Sequence, residues 1–490
     1  MTRLTFENLW TNGRWHSDIT LELIGSATCT PSDGTDAGDV LVGQPAKRQA
    51  VANPPEDRSE YIRGLTLPGL ASAHCHAFQR ILPAWTQRAA SVDDSFWTWR
   101  NVMYTAAECL DREGLEAIAA RCYLDLLRGG YTAVAEFLYL HRLAVKSTDA
   151  PDADLAIASA ARRVGIGLTL LPALYQYSDF GRAPATRAQM PFVRSTPRFI
   201  EDWRELKRRY ADEDSSIGLG IAFHSLRAVD IDTIGALCAD IASDEACRAI
   251  HIHVSEQQAE VAACLRHWSC TPIELLLGRG LVDGRWTLVH GTHATRAELE
   301  GICGRDATLA VCPTTEADLG DGCPDVAAFL LGGGYLAIGS DSNVCCNAFA
   351  ELRLLEWSQR LRHQRRNVLA STAESSVADR LYGAALVGGW NSLGKRERKS
   401  SDVLGADFVT FDDSAGNWRD QPPENWLSAL VFGCGEPMAR HVMVGGRWLI
   451  RDGVHANEAE IELACRAALS RLRPKLMSAR SIPTNGDHSC

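Results

Sequence analysis

Short apolar segments alternate with helix-like sequence between Leu65 and about Gly389, and this repetition constrains the fold more than any other feature. After a first strand near Leu67–His76, the candidates for buried strands are Tyr131–Phe137, Ile166–Pro172, Gly218–His224, Ala249–Val254, Trp286–His290, Leu309–Pro313 and Leu336–Asp341. About eight such strand–helix units predict an α/β fold, a (β/α)8 TIM-like barrel. In that fold the reactive side chains lie at the C-terminal ends of the strands.

Sequence patterns typical of β-strands also occur before and after the barrel region. They are a hairpin with an Asn-Gly turn at Trp10–Trp15, an alternating strand at Ile19–Ile24, and β-like sequence at Ala406–Asp412 and His441–Ile450. We therefore predict that the two ends of the chain form one small β-sandwich domain. The expected boundaries are residues 1–66 and 396–478 for this domain, 67–395 for the barrel and 479–490 for a disordered tail, with a loop at 30–58.

Composition narrows the class of protein. The 490 residues carry a formal net charge of −11 and no long basic run, so nucleic acid and anionic membranes are poor candidates for partners. None of the 16 cysteines forms a CxxC pair, which argues against a zinc ribbon or a thioredoxin-type site. Neither an apolar leader nor a membrane-spanning run is visible, so we expect a cytoplasmic protein with free thiols.

Two histidines end the first strand, in the order His74-Cys75-His76. In an extended chain, residues two apart share a face, so both imidazoles can bind one metal ion while Cys75 points away. On its own this pattern is weak, because two unrelated polar residues in a turn would look the same. Further candidate ligands at later strand ends strengthen the interpretation as a metal site.

His251 and His253 share one face of a later strand, and only one of them is needed; we favour His253. Asp341 ends the last barrel strand, where an unpaired carboxylate would be costly to bury unless a metal or a protonated partner meets it. A plain helix N-cap is the alternative for Asp341. The complete predicted ligand set is His74, His76, His253 and Asp341. These ligands suit zinc, with iron or manganese as alternatives.

Proton chemistry is expected beside these ligands. A bound metal would lower the pKa of a water molecule and yield hydroxide near neutral pH. Glu256 would take the proton and pass it to the leaving group, whereas His290 and Asp341 would orient the hydroxide. The alternatives are a carboxylate at a helix N-terminus for Glu256 and an ordinary core histidine for His290. No P-C-x-x-C segment is present, which excludes the zinc deaminases of the base-editing type.

Longer segments surround these single residues. They are His74–Arg80, Asp94–Arg100, Glu136–His141, His253–Gln258, Cys312–Gly322, Gly339–Ser342 and Gln359–Arg362. Together they resemble the amidohydrolase superfamily and, within it, the formimidoylglutamate deiminases. The His-x-His pair and the final aspartate are shared by the whole superfamily. The Phe-Gln-Arg, Phe-Trp-x-Trp-Arg and Thr-Thr-Glu-Ala-x-Leu-Gly-Asp-Gly segments are more specific to the deiminases, and Cys75 departs from the serine common in them.

The resemblance implies one zinc ion per chain on the four ligands, with Glu256 and His290 catalytic. It implies hydrolysis of N-formimino-L-glutamate to N-formyl-L-glutamate and ammonia in histidine degradation, by a homodimer. The substrate contacts that it implies are Gln79, Arg100, Tyr139, His224 and Arg227. Arginine offers a planar fork to each of the two substrate carboxylates. Without the resemblance, surface salt bridges are the simpler interpretation of the two arginines.

Two other functions are compatible with the sequence. One is a related deaminase of the same superfamily that acts on an aminopurine, a pyrimidine or another amidine. A neutral base would not need Arg100 and Arg227 as a pair of carboxylate ligands. The other is a metal-binding protein without catalysis, which would not need Glu256 and His290 beside a complete ligand set.

Overall fold

The structure is a computed structural model of the chain. It describes residues 2–24, 28–31, 59–87, 95–144, 152–213, 217–395 and 405–480. Most of the predicted loop at 30–58 and residues 481–490 of the predicted tail lie outside these ranges. Residues 479 and 480 end a helix, so the tail starts later than predicted.

The strands of the described residues fall into two sheets. They are β1 (Thr2–Thr11), β2 (Arg14–Ile24), β3 (Thr28–Pro31), β4 (Ser59–Pro68), β5 (Leu70–Cys75), β6 (Tyr131–Leu138), β7 (Gly167–Leu174), β8 (Ile217–Phe223), β9 (Cys247–Val254), β10 (Trp286–His290), β11 (Thr308–Val311), β12 (Tyr335–Ile338), β13 (Phe408–Phe411), β14 (His441–Val444), β15 (Arg447–Arg451) and β16 (Val454–His455). One sheet contains β5 to β12, and the other contains the strands before and after them.

Helices separate the strands of the central sheet, and further helices follow its last strand. They are α1 (Pro83–Thr86), α2 (Phe96–Cys109), α3 (Arg112–Arg128), α4 (Asp152–Val164), α5 (Thr196–Glu213), α6 (Ile231–Asp240), α7 (Gln258–Trp268), α8 (Pro272–Gly278), α9 (Arg296–Cys303), α10 (Pro313–Leu319), α11 (Val326–Leu331), α12 (Ala348–His363), α13 (Val377–Ser392), α14 (Trp426–Ser428) and α15 (Glu458–Arg480). None of the helices in the described ranges combines the length and the apolar character needed to cross a membrane.

The central sheet is a nearly closed parallel barrel. Each strand from β5 to β12 pairs with the next one in chain order. All eight residues of β6 are buried, because helices cover the outer face and the barrel core fills the inner one. The first and last strands meet where the His76 N–H donates to Asp341 O at 2.9 Å and the Asp341 N–H donates to His74 O at 3.0 Å. The predicted (β/α)8 barrel is confirmed.

The first barrel strand begins at Leu70, later than predicted. β4 continues to Pro68 and pairs with β1 and β13, so residues 67 and 68 belong to the other sheet. Gly69 lies between β4 and β5, and its N–H donates to Asp407 O at 2.9 Å. A Cβ at this position would lie 2.2 Å from the Thr132 side chain. Glycine therefore allows the close approach at which the chain passes from one sheet to the other.

The two ends of the chain pair in the second sheet. Its strand order is β16-β15-β14-β13-β4-β1-β2-β3, with β1 parallel to β4 and the other pairs antiparallel. Phe6 on β1 packs against Phe408 on β13 with the ring centroids 5.1 Å apart. Leu4, Ile62 and Met443 belong to the same apolar cluster. The predicted β-domain therefore exists as one continuous mixed sheet with its own small core.

Helix α13 fills the end of the barrel where the strands begin. A Cβ on Gly388 would lie 2.0 Å from Leu336 O, and one on Gly389 would lie 2.8 Å from Ala71 O, so only glycine allows this packing. At the end of the helix, Ser392 O accepts a hydrogen bond from His251 Nε2, inside the barrel. The opposite end of the barrel, where the strands finish, is where this fold places its reactive side chains.

Candidate active site

The His-x-His segment lies at the C-terminal end of β5. His74 and His76 turn to the same side, with their ring centroids 4.6 Å apart. Cys75 points the other way, and its thiol lies 3.5 Å from Asn343 Oδ1. The alternation of an extended chain thus places both imidazoles over the barrel mouth.

Side chains from two more strand ends meet these imidazoles. His253, in β9, places its Nε2 2.9 Å from His74 Nε2 and 3.2 Å from His76 Nε2. Asp341, after β12, places its Oδ1 3.4 Å from the Nε2 atoms of both His74 and His76. His74 and His76 therefore lie close to each other and to both His253 and Asp341, and His74 also forms a converging group with His253 and His290. His251 does not take part, because its Nε2 donates to Ser392 O at 2.7 Å.

The hydrogen bonds of the imidazoles fit a cation between them. Nδ1 of His76 donates to Phe137 O at 2.7 Å, and Nδ1 of His253 donates to His224 O at 2.8 Å. Both Nε2 atoms then carry lone pairs, and two lone pairs 3.2 Å apart repel each other unless positive charge lies between them. Ligand atoms of one tetrahedral zinc ion lie roughly 3.4 Å from each other, which is close to these spacings. The cluster is therefore suited to hold a metal ion.

Glu256 and His290 lie beside the ligand cluster. His290 Nε2 is 3.8 Å from Glu256 Oε1 and 3.9 Å from Asp341 Oδ2. Burial, with the charges of Asp341 and Glu260, raises the pKa of Glu256 to about 7, although His290 opposes the rise. Burial alone would lower the pKa of His290, but Glu256, Glu316 and Asp341 outweigh it and raise this pKa to about 10. The site can therefore hold and transfer protons near neutral pH.

The backbone is strained at several of these positions. The φ angles of Ser255, His290 and Asp341 are +52°, +73° and +43°, in the left-handed region that favours glycine. Holding a non-glycine residue there costs about 1–3 kcal/mol. The Asn343 side chain donates to His76 O and Asp341 O, both at 2.9 Å, and so ties the last turn to the first strand. Backbone strain of this kind, held in place by surrounding contacts, is found mostly at functional sites.

The other predicted site residues line a narrow cavity next to the ligands. Gln79, Arg100, Tyr139, His224 and Arg227 all border it. Gln79 Nε2 donates to Tyr139 OH at 2.7 Å, while Gln79 Oε1 is buried without a partner among the described residues. Aromatic side chains form much of the wall, namely Phe96, Trp99, Tyr104, Tyr175 and Phe192. The structure thus brings the residues of the predicted site into one cavity.

Two arginines bring positive charge to this cavity, and neither forms a salt bridge within the described residues. Burial would lower the pKa of Arg227, but the nearby carboxylates of Glu260 and Glu256 outweigh it and raise this pKa. The Nε atoms of Arg100 and Arg227 are buried, and neither makes a hydrogen bond within the described part of the chain. The Arg100 guanidinium instead lies over Trp97, with Cζ 4.3 Å from the ring centroid. Neither residue is therefore a partner in a surface salt bridge, and both are suited to bind an anion.

Several residues that hold the site were not assigned individual roles from the sequence. Glu316 Oε1 accepts a hydrogen bond from His290 Nδ1 at 3.3 Å. Glu136 Oε1 accepts one from the Ala77 N–H at 2.9 Å, directly after His76. Both glutamates lie in segments that carry the family resemblance, and this was the only signal for them. Their contacts depend on how neighbouring elements pack, which a local pattern does not show.

A larger groove lies elsewhere, between the β1–β2 hairpin and α12. Its volume is about 910 Å³, and Arg14, Trp15, Trp357 and Phe432 contribute to its lining. None of the converging His, Cys, Asp and Glu clusters found in the described ranges lies on it. These observations therefore favour the barrel mouth over this larger groove as the site.

Known proteins resemble this chain in sequence. The model of the amidohydrolase family matches residues 65–449, which is well over half of the chain. The formimidoylglutamate deiminase of Pseudomonas aeruginosa is 40% identical over 404 residues, covering 82% of this chain and 88% of that protein.

Solved structures share the fold. The crystal structure of an amidohydrolase from Brucella melitensis has a TM-score of 0.84 and 32% sequence identity, covering 96% of this chain and 100% of the other. An adenosine deaminase from Xanthomonas campestris, solved with bound zinc, has a TM-score of 0.75 at 21% identity, covering 96% and 98% of the two chains. At that identity the likeness concerns the fold alone. From the family match, the deiminase relative and the ligand cluster at the barrel mouth, we conclude that this chain belongs to the amidohydrolase family.

Proposed function

We propose that this protein hydrolyses N-formimino-L-glutamate to N-formyl-L-glutamate and ammonia, in histidine degradation. The observation that carries the proposal is that two arginines without a salt bridge among the described residues, the half-buried Arg100 and the buried Arg227, share one cavity with the metal-ligand cluster. The substrate has two carboxylates and one C=N bond. Each arginine can therefore bind a carboxylate while the C=N group lies toward the cluster. The relative named for this activity, at 40% identity, supports the same substrate.

We expect one zinc ion per chain, held by His74, His76, His253 and Asp341. Nitrogen ligands with one carboxylate suit zinc, and iron or manganese are the alternatives. When bound, the ion supplies a Lewis acid that lowers the pKa of a water molecule toward neutrality. The bonds from His76 and His253 to backbone carbonyls keep the Nε2 lone pairs directed at the ion.

Glu256 is placed to transfer the proton that the reaction requires. The oxygen of water bonds to the formimino carbon, and the bond from that carbon to the terminal nitrogen breaks. Glu256 takes one proton from the water and delivers it to this nitrogen. The remaining hydroxyl proton follows as the C–N bond breaks, so that a C=O bond forms and the nitrogen leaves as ammonia. A pKa of about 7 suits a group that both accepts and donates a proton near neutral pH. His290 and Asp341 orient the attacking oxygen and stabilise the developing charge.

Neutral substrates fit this cavity less well. An aminopurine or a pyrimidine would offer no carboxylate to the guanidinium groups of Arg100 and Arg227. Only the carboxylates near Arg227, those of Glu260 and Glu256, would then compensate this positive charge, which is unfavourable. A metal-binding protein without catalysis would not require Glu256 and His290 beside the ligands. We therefore favour the deimination of a dicarboxylate over both alternatives.

The test is ammonia release by purified, zinc-loaded protein, measured separately with formimino-glutamate, formimino-aspartate, guanine and cytosine. We expect formimino-glutamate to be preferred. We expect Arg227→Gln to raise its KM by about 10–100-fold, as for the loss of a charge-assisted hydrogen bond. Arg182→Gln is the matched control, because Arg182 pairs with Asp230 on the surface. Ammonia release from guanine or cytosine, with none from formimino-glutamate, would contradict the proposal.

We also propose that the protein works in the reducing environment of the cytoplasm. Fourteen cysteines in the described part of the chain are free thiols. Free thiols persist where the compartment keeps them reduced.

A further inference from the structure

The segment Cys312–Gly322 lies against the active site but supplies none of the metal ligands or proton carriers proposed above. It leaves β11 and forms α10, where Thr315 and Leu319 border the cavity. Glu316, in the same helix, does not line the cavity and is almost completely buried. Its carboxylate contacts the Nδ1 side of the His290 ring.

Glu316 contacts the ring nitrogen of His290 that faces away from the ligands. Glu316 Oε1 accepts a hydrogen bond from His290 Nδ1 at 3.3 Å, and the two side chains are 4% and 2% exposed. A carboxylate accepts and does not donate, so this contact keeps a proton on Nδ1. Nε2 is then directed toward Glu256 and Asp341, at 3.8 and 3.9 Å.

Glu316 is itself held in place. The same Oε1 accepts the Cys312 N–H at 2.9 Å, across the first turn of α10. Helix α10 is tied to α12, because Glu351 accepts the Thr314 N–H at 2.9 Å and the Thr314 hydroxyl at 2.5 Å. The Cys312 N–H therefore fixes the acceptor behind His290 within α10 itself, independently of the bonds to α12.

We propose that Glu316 is a positioning residue for the deimination. It fixes the orientation of the His290 ring and the proton on Nδ1, so that Nε2 points at the reacting groups. The ring needs such an anchor, because His290 makes no other side-chain hydrogen bond within the described residues. This inference rests on the function proposed above and assigns a role to one of the three segments that are more specific to the deiminases.

The test compares Glu316→Met, Glu316→Gln and Glu351→Met in the zinc-loaded protein. Methionine conserves volume and removes the acceptor, whereas glutamine keeps a carbonyl oxygen for the Nδ1 proton. Glu351→Met is the matched control, because Glu351 supports the same helix without touching His290. We expect Glu316→Met to lower kcat about 10–100-fold with KM nearly unchanged, as when the outer partner of an active-site imidazole is lost. Glu316→Gln should restore most of kcat, and Glu351→Met should retain it.

Crystal structures of the variants give a readout that does not depend on turnover. We expect the His290 ring to turn in Glu316→Met and to stay in place in Glu316→Gln. Wild-type kcat with an unturned ring in Glu316→Met, or an equal loss of kcat in Glu351→Met, would overturn the proposal. If Glu316→Met does not fold, a loss of kcat beyond about tenfold in Glu316→Gln with an unturned ring would overturn it as well. If the unmodified protein releases no ammonia, the proposed function fails, and the ring positions still test Glu316.

Discussion

Glu256 is the residue on which the proposed proton transfer depends, and its surroundings explain why a glutamate can act there. Its backbone N–H donates to Glu260 Oε2 at 3.0 Å, and the preceding Ser255 has a φ of +52°. A fixed turn therefore presents the carboxylate beside His290. Burial raises its pKa to about 7, so both the charged and the neutral form are populated near neutral pH.

We expect Glu256→Gln to lower kcat by about 10²–10⁴-fold, because glutamine keeps the shape of the side chain but carries no proton. Its zinc content and Tm should match those of the unmodified protein, since Glu256 is not among the proposed ligands. Steady-state kinetics, metal analysis and thermal unfolding check these expectations. Glu260→Gln is the control, because it keeps the acceptor for the Glu256 N–H and should retain most of kcat. Near-normal ammonia release by Glu256→Gln would mean that another group carries the proton.

Among the elements, helix α4 contains a buried carboxyl group that makes stability depend on pH. Asp154 lies in its first turn, is 3% exposed, and has an Oδ1 without a hydrogen-bond partner among the described residues. Burial and the charge of Asp202 raise its pKa from 3.8 to about 7, although Arg194 opposes the rise. Between these values the folded state holds a proton that the unfolded chain has released. The free energy of unfolding therefore falls as pH rises through this range.

Asp154→Asn should remove this pH-dependent fall in the free energy of unfolding, because asparagine has nearly the same shape and does not ionise. We expect its gain in stability to grow as pH rises from about 4 to about 7, reaching the order of 3 kcal/mol, and then to level off. Urea unfolding at several pH values measures the gain. Asp240→Asn, at a half-exposed position at the end of α6, is the control and should change little. A gain that is equal at all pH values would show that ionisation of Asp154 is not its source.

The elements that could be predicted from the sequence have a local signature. The barrel strands are buried on both faces, so each leaves a short apolar run such as Tyr131–Leu138. The ends of these runs also indicated the chemistry, because His253 and Asp341 lie at or just beyond strand ends. The His-x-His pair followed from the period of an extended strand in the same way.

The features that could not be predicted depend on how distant elements pack. The last residues of β4 and the first residues of β5 form one largely apolar run, so little in the sequence, apart from Gly69, indicated that the chain changes sheets there. The contact of Glu316 with His290 joins a helix to a strand end more than twenty residues earlier in the chain. A sequence motif can indicate that such a residue matters, but the partner follows only from the packing of α10.

At the scale of the whole molecule, the proposed ligands join distant parts of the barrel. β5 carries His74 and leads to His76, while Asp341 follows β12, and the two segments meet at the bridge between Cys75 and Asp341. His253 comes from β9, four strands away from β5 in the sheet order. A cation held by all four side chains would therefore link three strands across the barrel mouth. Such a link exists only in the folded protein.

We expect a chelator to lower Tm and added zinc to restore it. The unfolded chain cannot hold the four ligands together, so zinc at about 100 times its Kd should stabilise the folded state by about 2.7 kcal/mol. Thermal unfolding with and without zinc, for the unmodified protein, Glu256→Gln and His253→Asn, measures this effect. Glu256→Gln should keep the zinc-dependent rise, since only the proton carrier is lost, whereas His253→Asn should lose most of it. A rise that survives His253→Asn would place the ion elsewhere, because a cation bound at the mouth needs the lone pair that this imidazole directs at it.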